Sequence, residues 1–189
     1  MSKKLWLPIF LGFLICLIYG LKKIIPGTGD LYFWALYLIP LILFLFKKTN
    51  LSEMGIRLGN PVNGLIFAFL LPTALFLRYK FMGKVWGLTT DWPILVIGSV
   101  GEEFFFRGYL QGQFEKYLGA NLSILITNFF FMLVHVIKGY YLLPALIIFL
   151  IGIYFSYGRH PKGGNSLLGS LIAHPLYNLL ITTNRFLIR

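Results

Sequence analysis

Two adjacent carboxylates and a guanidinium stand inside an apolar stretch that reads Gly101-Glu102-Glu103-Phe104-Phe105-Phe106-Arg107. A charged side chain at mid-bilayer costs about 2.5–3.5 kcal/mol on insertion scales, so three within six residues need a partner, water or a use. On a helix covering 92–111, Glu103 and Arg107 are four apart and share a face, whereas Glu102 is turned about 100° away. The expected arrangement is an ion pair between Glu103 and Arg107 that offsets the burial of both. Glu102 is then the carboxylate left free for chemistry.

Two later apolar runs carry polar stripes of their own. Asn128, Phe131 and His135 follow one another at helical spacing, as do Ser170, His174 and Asn178. Pro175 frees the carbonyl of Leu171, which favours a kink or a wet cavity beside His174. Three helices thus present inward polar faces, and such intramembrane groups face one another or a water-filled pocket. A carboxylate beside a histidine takes a proton from water and returns it to a leaving amine. A histidine and an asparagine amide one turn apart donate two hydrogen bonds to a developing oxyanion. Together these are the parts of amide hydrolysis by a directly activated water. Asn128 and Ser170 read as interhelical hydrogen-bonders.

The elements that must position these residues are membrane helices. Hydrophobic residues are 58% of the 189, charged residues only 12%, and mean hydropathy is +0.78. Soluble domains carry about 25% charged residues, so this composition belongs to a different solvent. Apolar runs at 5–21, 31–46, 62–77, 92–110, 122–137, 140–157 and 167–188 approach the roughly 20 residues that cross a bilayer. The expected fold is all-α: a polytopic transmembrane bundle of about seven spans, with six or eight as alternatives. It forms a single integral membrane domain over 1–189. The first run follows Lys3 and Lys4 without a small-x-small cleavage site and reads as a retained anchor.

The net charge of +11 invites a nucleic-acid partner, and its distribution argues against one. Basic residues sit in short clusters between runs, among them Lys22/Lys23, Lys47/Lys48/Arg57, Arg78/Lys80/Lys84 and Arg159/Lys162, as lipid headgroups require. Eight fall on each side of a seven-span arrangement, Lys138 included, so charge does not set the orientation. Trp6, Trp34, Trp86, Trp92, Tyr140 and Tyr157 lie near run ends and read as interfacial anchors. Turn signals occur at 26–30, 59–61 and 160–165, where His160 reads as solvated. The 51–57 segment reads as a short amphipathic surface turn, and Asp91 as an N-cap before Trp92 and Pro93. Gly101, Gly108 and Gly112 allow close helix approach. The single cysteine, Cys16, excludes an intrachain disulfide and reads as a small apolar helix residue.

Three motifs in order, Glu102-Glu103-x-x-x-Arg107, Phe131-x-x-x-His135 and His174-x-x-x-Asn178, resemble those of the CAAX-protease and bacteriocin-processing (Abi) family of glutamic intramembrane proteases. The resemblance covers roughly 51–180, a protease core; the first two runs match only as generic membrane helices. It implies that Glu102 and His135 activate the water, that His174 and Asn178 form the oxyanion hole, and that Glu103 and Arg107 support the site. It also implies a metal-independent peptide hydrolase without cofactor, in a multi-pass cell-membrane protein. The implied substrate is a membrane-anchored protein or peptide, cut in a C-terminal sorting tail or a leader.

Other readings compete. Two histidines and a glutamate can bind zinc, but no His-Glu-x-x-His helix is present. Ser99 and Ser170 lack a nucleophile-elbow setting. A proton-coupled transporter is disfavoured by the absence of repeated halves. The main alternative is a non-catalytic scaffold or bacteriocin-immunity protein of the same family. Oligomeric state is not legible.

Overall fold

The computed structural model describes residues 5–22, 24–25, 29–57, 59–82, 91–160 and 166–185. Lys3, Lys4, Lys23, Lys84, Trp86 and Arg189 lie outside these residues, as do 26–28 of the first turn signal and 161–165 of the last. Every regular element described is helical. The elements are α1 (Trp6–Lys22), α2 (Gly29–Leu45), α3 (Pro61–Phe81), α4 (Trp92–Glu102), a π-helical stretch (Glu103–Leu110), α5 (Gln111–Leu118), α6 (Ala120–Ile137), α7 (Leu142–Arg159) and α8 (Leu167–Arg185). Because α4, the π stretch and α5 run on without a break, the described chain makes seven helical rods, one per apolar run. Three of the helices, at Val62–Phe81, Ala120–Ile137 and Leu142–Arg159, are long and apolar enough to cross a membrane.

Local chemistry sets the ends. Asn60 caps α3, its side-chain oxygen accepting from the backbone N–H of Val62 and Asn63, with Pro61 in the first turn. Asp91 does hold the N-cap position of α4, with proline in the first turn, but its side chain makes no capping bond there. Gly119 adopts φ +76, a left-handed conformation that costs other residues more, and separates α5 from α6. Pro175 lies within α8, which continues through it to Arg185.

The π stretch is the hub. It packs against α2, α6, α7 and α8, while α1 lies on α6 and α3 on α8. Seven of its eight residues are buried, so its apolar side chains supply the core on every side. Phe105, Phe106, Tyr109 and Leu110 join Ile15, Leu36 and Phe131 there. The periphery is also apolar: Phe10, Leu65, Ile66, Leu146 and Leu150 are exposed. Apolar inside and outside is the pattern of a bundle whose solvent is lipid. Trp6, Trp34, Trp92 and Tyr157 are exposed near helix ends, as anchors should be. Cys16 is buried, its thiol against the Phe130 carbonyl.

The 51–57 turn is more firmly held than a surface turn. Met54 is buried, the Gly55 carbonyl accepts from the Leu167 N–H, and the Glu53 carbonyl accepts from Arg159. A Cβ on Gly112 would strike that same Glu53 carbonyl, so a side chain there would break the contact. Gly101 likewise admits the Tyr37 ring, whereas a Cβ on Gly108 would meet only ordinary van der Waals contacts.

Candidate active site

The segment carrying the two glutamates begins as an α-helix and widens at Glu103. The backbone N–H of Gln111 bonds the Phe106 carbonyl five residues back, the π pattern. Such widenings are rare and concentrate at functional sites. The expected pair forms, with Arg107 Nη1 3.1 Å from Glu103 Oε1 and both side chains fully buried. Arg107 then donates through Nη2 to Asn128 Oδ1 at 3.0 Å. Asn128 in turn donates to Ser156 Oγ and to the Ile124 carbonyl, each at 2.8 Å. Gln111 donates to the Ser156 carbonyl. This polar spine ties the π stretch to α6 and α7, and its guanidinium also lies 4.1 Å from the centre of the Phe131 ring.

Glu102, at the end of α4, faces a different set of groups. Its Oε1 accepts from Lys138 Nζ at 2.8 Å and from the Tyr32 hydroxyl at 3.1 Å. Its Oε2 faces His174 Nε2 at 3.8 Å, too long for a direct hydrogen bond. His174 is buried, stacks on Phe155, and bonds Glu103 Oε1 through Nδ1 at 2.7 Å. Since the carboxylate is the acceptor, Nδ1 carries the proton and Nε2 is presented toward Glu102. His135 Nδ1 lies 2.9 Å from the Phe131 carbonyl, which likewise makes Nδ1 the donor and leaves Nε2 unspent. Asn178 donates to Ser99 Oγ at 2.8 Å, and Ser99 donates to the Leu95 carbonyl at 2.7 Å.

Two cavities meet at this cluster. One, of about 250 Å³, is lined by Glu102, His135, Asn178 and Ser99 together with Lys22, Lys138, Tyr19 and Tyr32. The other, of about 200 Å³, lies among α6, α7 and α8; its wall includes His135, His174 and Asn178 beside Pro144, Ile147, Ile148 and Ile151. The first is the more polar by composition. His135, Tyr140, Asn178 and Ile181 border both. Among the described residues, no three His, Cys, Asp or Glu side chains are grouped to hold a metal ion.

A family model described as type II CAAX prenyl endopeptidase Rce1-like matches residues 84–180, half of the chain. The chain belongs to this family. It is therefore a member of a membrane-protein family of endopeptidases, which are peptide hydrolases. A search of curated proteins and one of solved structures found no match.

All six residues singled out from the sequence lie within the matched region, on α4, the π stretch, α6 and α8 of this family member. The structure brings them together, with several differences. Glu102 is not without a cation: Lys138, expected among the headgroups, turns inward to meet it. The two nitrogens of His174 face the two glutamates, and Asn178 bonds Ser99. The helix over 92–111 is not a uniform α-helix. Asn128 does bridge helices, but Ser170 bonds the Leu167 carbonyl of its own helix. Tyr140, expected as an anchor, is half-buried beside His135, their rings 5.6 Å apart. His160, expected in solvent, is half-buried with Nε2 3.9 Å from Glu115.

The motifs do not single out Lys138 or Tyr32, and Ser99 enters the sequence reading only as a serine without a nucleophile-elbow setting. Lys138 follows His135 by three residues, a helical spacing that places both on one face. That signal was available. Tyr32 offered none, being one aromatic residue in an aromatic-rich run.

Proposed function

We propose that this protein hydrolyses a peptide bond of a membrane-anchored protein or peptide, with Glu102 as general base and without a covalent intermediate. The observation that carries the reading is the uncommitted side of Glu102: Oε2 looks onto His174 Nε2 at 3.8 Å, and His135 borders the same cavity. A single water seated beside that gap can hydrogen-bond both atoms.

In the proposed reaction, Glu102 takes a proton from the water as its oxygen forms a bond to the scissile carbonyl carbon. The carbonyl π pair moves onto its oxygen. His135, its Nδ1–H held by Phe131, orients the water through the lone pair on Nε2. His174, held by Glu103 at Nδ1, donates from Nε2 to the oxyanion, with the second amide proton of Asn178 beside it. Collapse breaks the C–N bond, and the proton on Glu102 passes to the leaving amine. Glu103 and Arg107 act as supports, since their charges are spent on each other, on His174 and on Asn128. No metal or cofactor is needed for these steps.

The apolar cavity beside the cluster suits a hydrophobic residue next to the scissile bond. The family is described as CAAX prenyl endopeptidases, which agrees with a protein or peptide substrate cut in a C-terminal sorting tail or a leader. Residues 51–180 form the proposed protease core of a multi-pass cell-membrane protein.

The test uses purified protein in nanodiscs with membrane-anchored peptides carrying hydrophobic C-terminal tails. Wild-type protein cleaves; Glu102→Gln and His135→Ala lose cleavage while melting as wild type does. Full activity in both variants, or loss of folding in both, returns the polar cluster to a scaffold or immunity role. Inhibition by a chelator that added zinc reverses would overturn the metal-free mechanism.

A further inference from the structure

The two glutamates are neutralised by different cations, and only one pair was legible in the motifs. Arg107 serves Glu103; Lys138 serves Glu102, 2.8 Å away. Lys138 stands at the C-terminal cap of α6, where a lysine favours the helix dipole and its flexible stem allows it to reach the headgroups. Here it folds inward, and four fifths of its side chain is buried. Its ammonium lies 5.2 Å from the ring centre of Tyr19 and 5.6 Å from that of Tyr32. Those rings meet edge to face at 4.8 Å, one from α1 and one from α2. The hydroxyl of Tyr32 donates to the same Glu102 oxygen as Lys138 does.

Resting on the hydrolytic reading above, we propose that Lys138 and Tyr32 are positioning residues of the general base. They hold Oε1 and thereby turn Oε2 toward the water site, while Tyr19 seats the ammonium. Two donors on one oxygen fix the rotation of a carboxylate that one donor would leave free to swing. Dehydrating an ammonium is costly, and here a carboxylate at hydrogen-bond distance and two ring faces offset it. The helices α1 and α2 thus contribute to the site, although the family match begins only at residue 84.

The experiment measures kcat, KM and melting temperature of the full chain in nanodiscs. Lys138→Met lowers kcat about 10- to 100-fold, the span of one charge-assisted hydrogen bond, with KM within about twofold. Lys138→Arg recovers most of the rate. Tyr32→Phe lowers kcat less, and the double variant loses less than the product of the two, because both act on one oxygen. Wild-type kcat in Lys138→Met overturns the proposal. So does a loss that follows melting temperature and is not recovered by arginine. If Glu102→Gln is inactive while Lys138→Met is fully active, only this proposal fails; if Glu102→Gln is itself active, the hydrolytic reading fails with it.

Discussion

Two ionic clusters lie along the rod that carries the glutamates, one around Glu102–Arg107 and one around Glu115 and Lys116. In the first, Glu102, Glu103, Arg107, His174 and Lys138 meet beside two cavities. In the second, Arg159 bonds Glu115 at 2.7 Å and the Glu53 carbonyl, while Lys116 bonds Glu53 at 2.8 Å. Arg159 is buried, but its partner Glu115 is about one quarter exposed and Lys116 about one half. The second cluster spends its charges on joining the 51–57 turn to α5 and α7. The first leaves Oε2 of Glu102 and Nε2 of both histidines without a direct hydrogen bond, on residues that line two cavities. The second cluster also borders a cavity, of about 430 Å³ at Glu53 and Lys116, so neither charge nor a void separates a structural cluster from a reactive one; the unspent atoms do.

The largest separation should come from the oxyanion side of the first cluster. Asn178→Ala is expected to reduce kcat about 100- to 1,000-fold, the usual effect of losing one oxyanion donor, with melting temperature nearly unchanged. A rate near wild type in a nanodisc cleavage assay would move Asn178 into the structural class. The counterpart at the second cluster is Arg159→Met. It should lower stability by about 2–3 kcal/mol, less than the loss from a fully buried pair because the freed Glu115 can be rehydrated. Cleavage per folded molecule should remain. Thermal unfolding read beside activity checks both parts.

A smaller effect is expected at Gly112→Ala, whose new methyl meets the Glu53 carbonyl. Overpacking of this kind costs about 1–3 kcal/mol. The smallest involves Glu53. Burial pushes its carboxyl up, but hydrogen bonds from Lys116, Gln113 and Thr49 outweigh that and hold it below its ordinary 4.5. The depressed value means that Glu53 stabilises the fold above pH 4.5 and that this contribution is lost as pH falls below it. Glu53→Gln should flatten the acid side of the stability profile. An exposed pair with Lys116 is worth about 1 kcal/mol or less, and the contribution should shrink in high salt.

Much of this was legible in the sequence, for physical reasons that also explain the gaps. The period of a helix and the cost of buried charge together demanded the Glu103–Arg107 pair, and it forms. The three polar stripes had to face one another, since lipid offers them nothing, and they do. Lys138 was misplaced because a lysine just past an apolar run can extend to headgroups or fold back, and hydropathy does not distinguish the two. The π widening has no trigger such as proline in 103–110, so straight-helix geometry put the right groups on the right faces but not their hydrogen-bond partners. The 51–57 turn reads as solvated because the buried Arg159 that holds it lies at the end of α7, and His160 because the Glu115 it approaches lies on α5; neither contact has a local signature.

The most direct test of the account compares neighbours in the chain. Glu102→Gln and Glu103→Gln should be assayed side by side in nanodiscs for kcat and melting temperature. The account predicts that Glu102→Gln loses at least about 100-fold in kcat and melts like the wild type, while Glu103→Gln, which strands the buried Arg107, melts several degrees lower. A Glu102→Gln variant that turns over at the wild-type rate, or that loses stability as Glu103→Gln does, would contradict it.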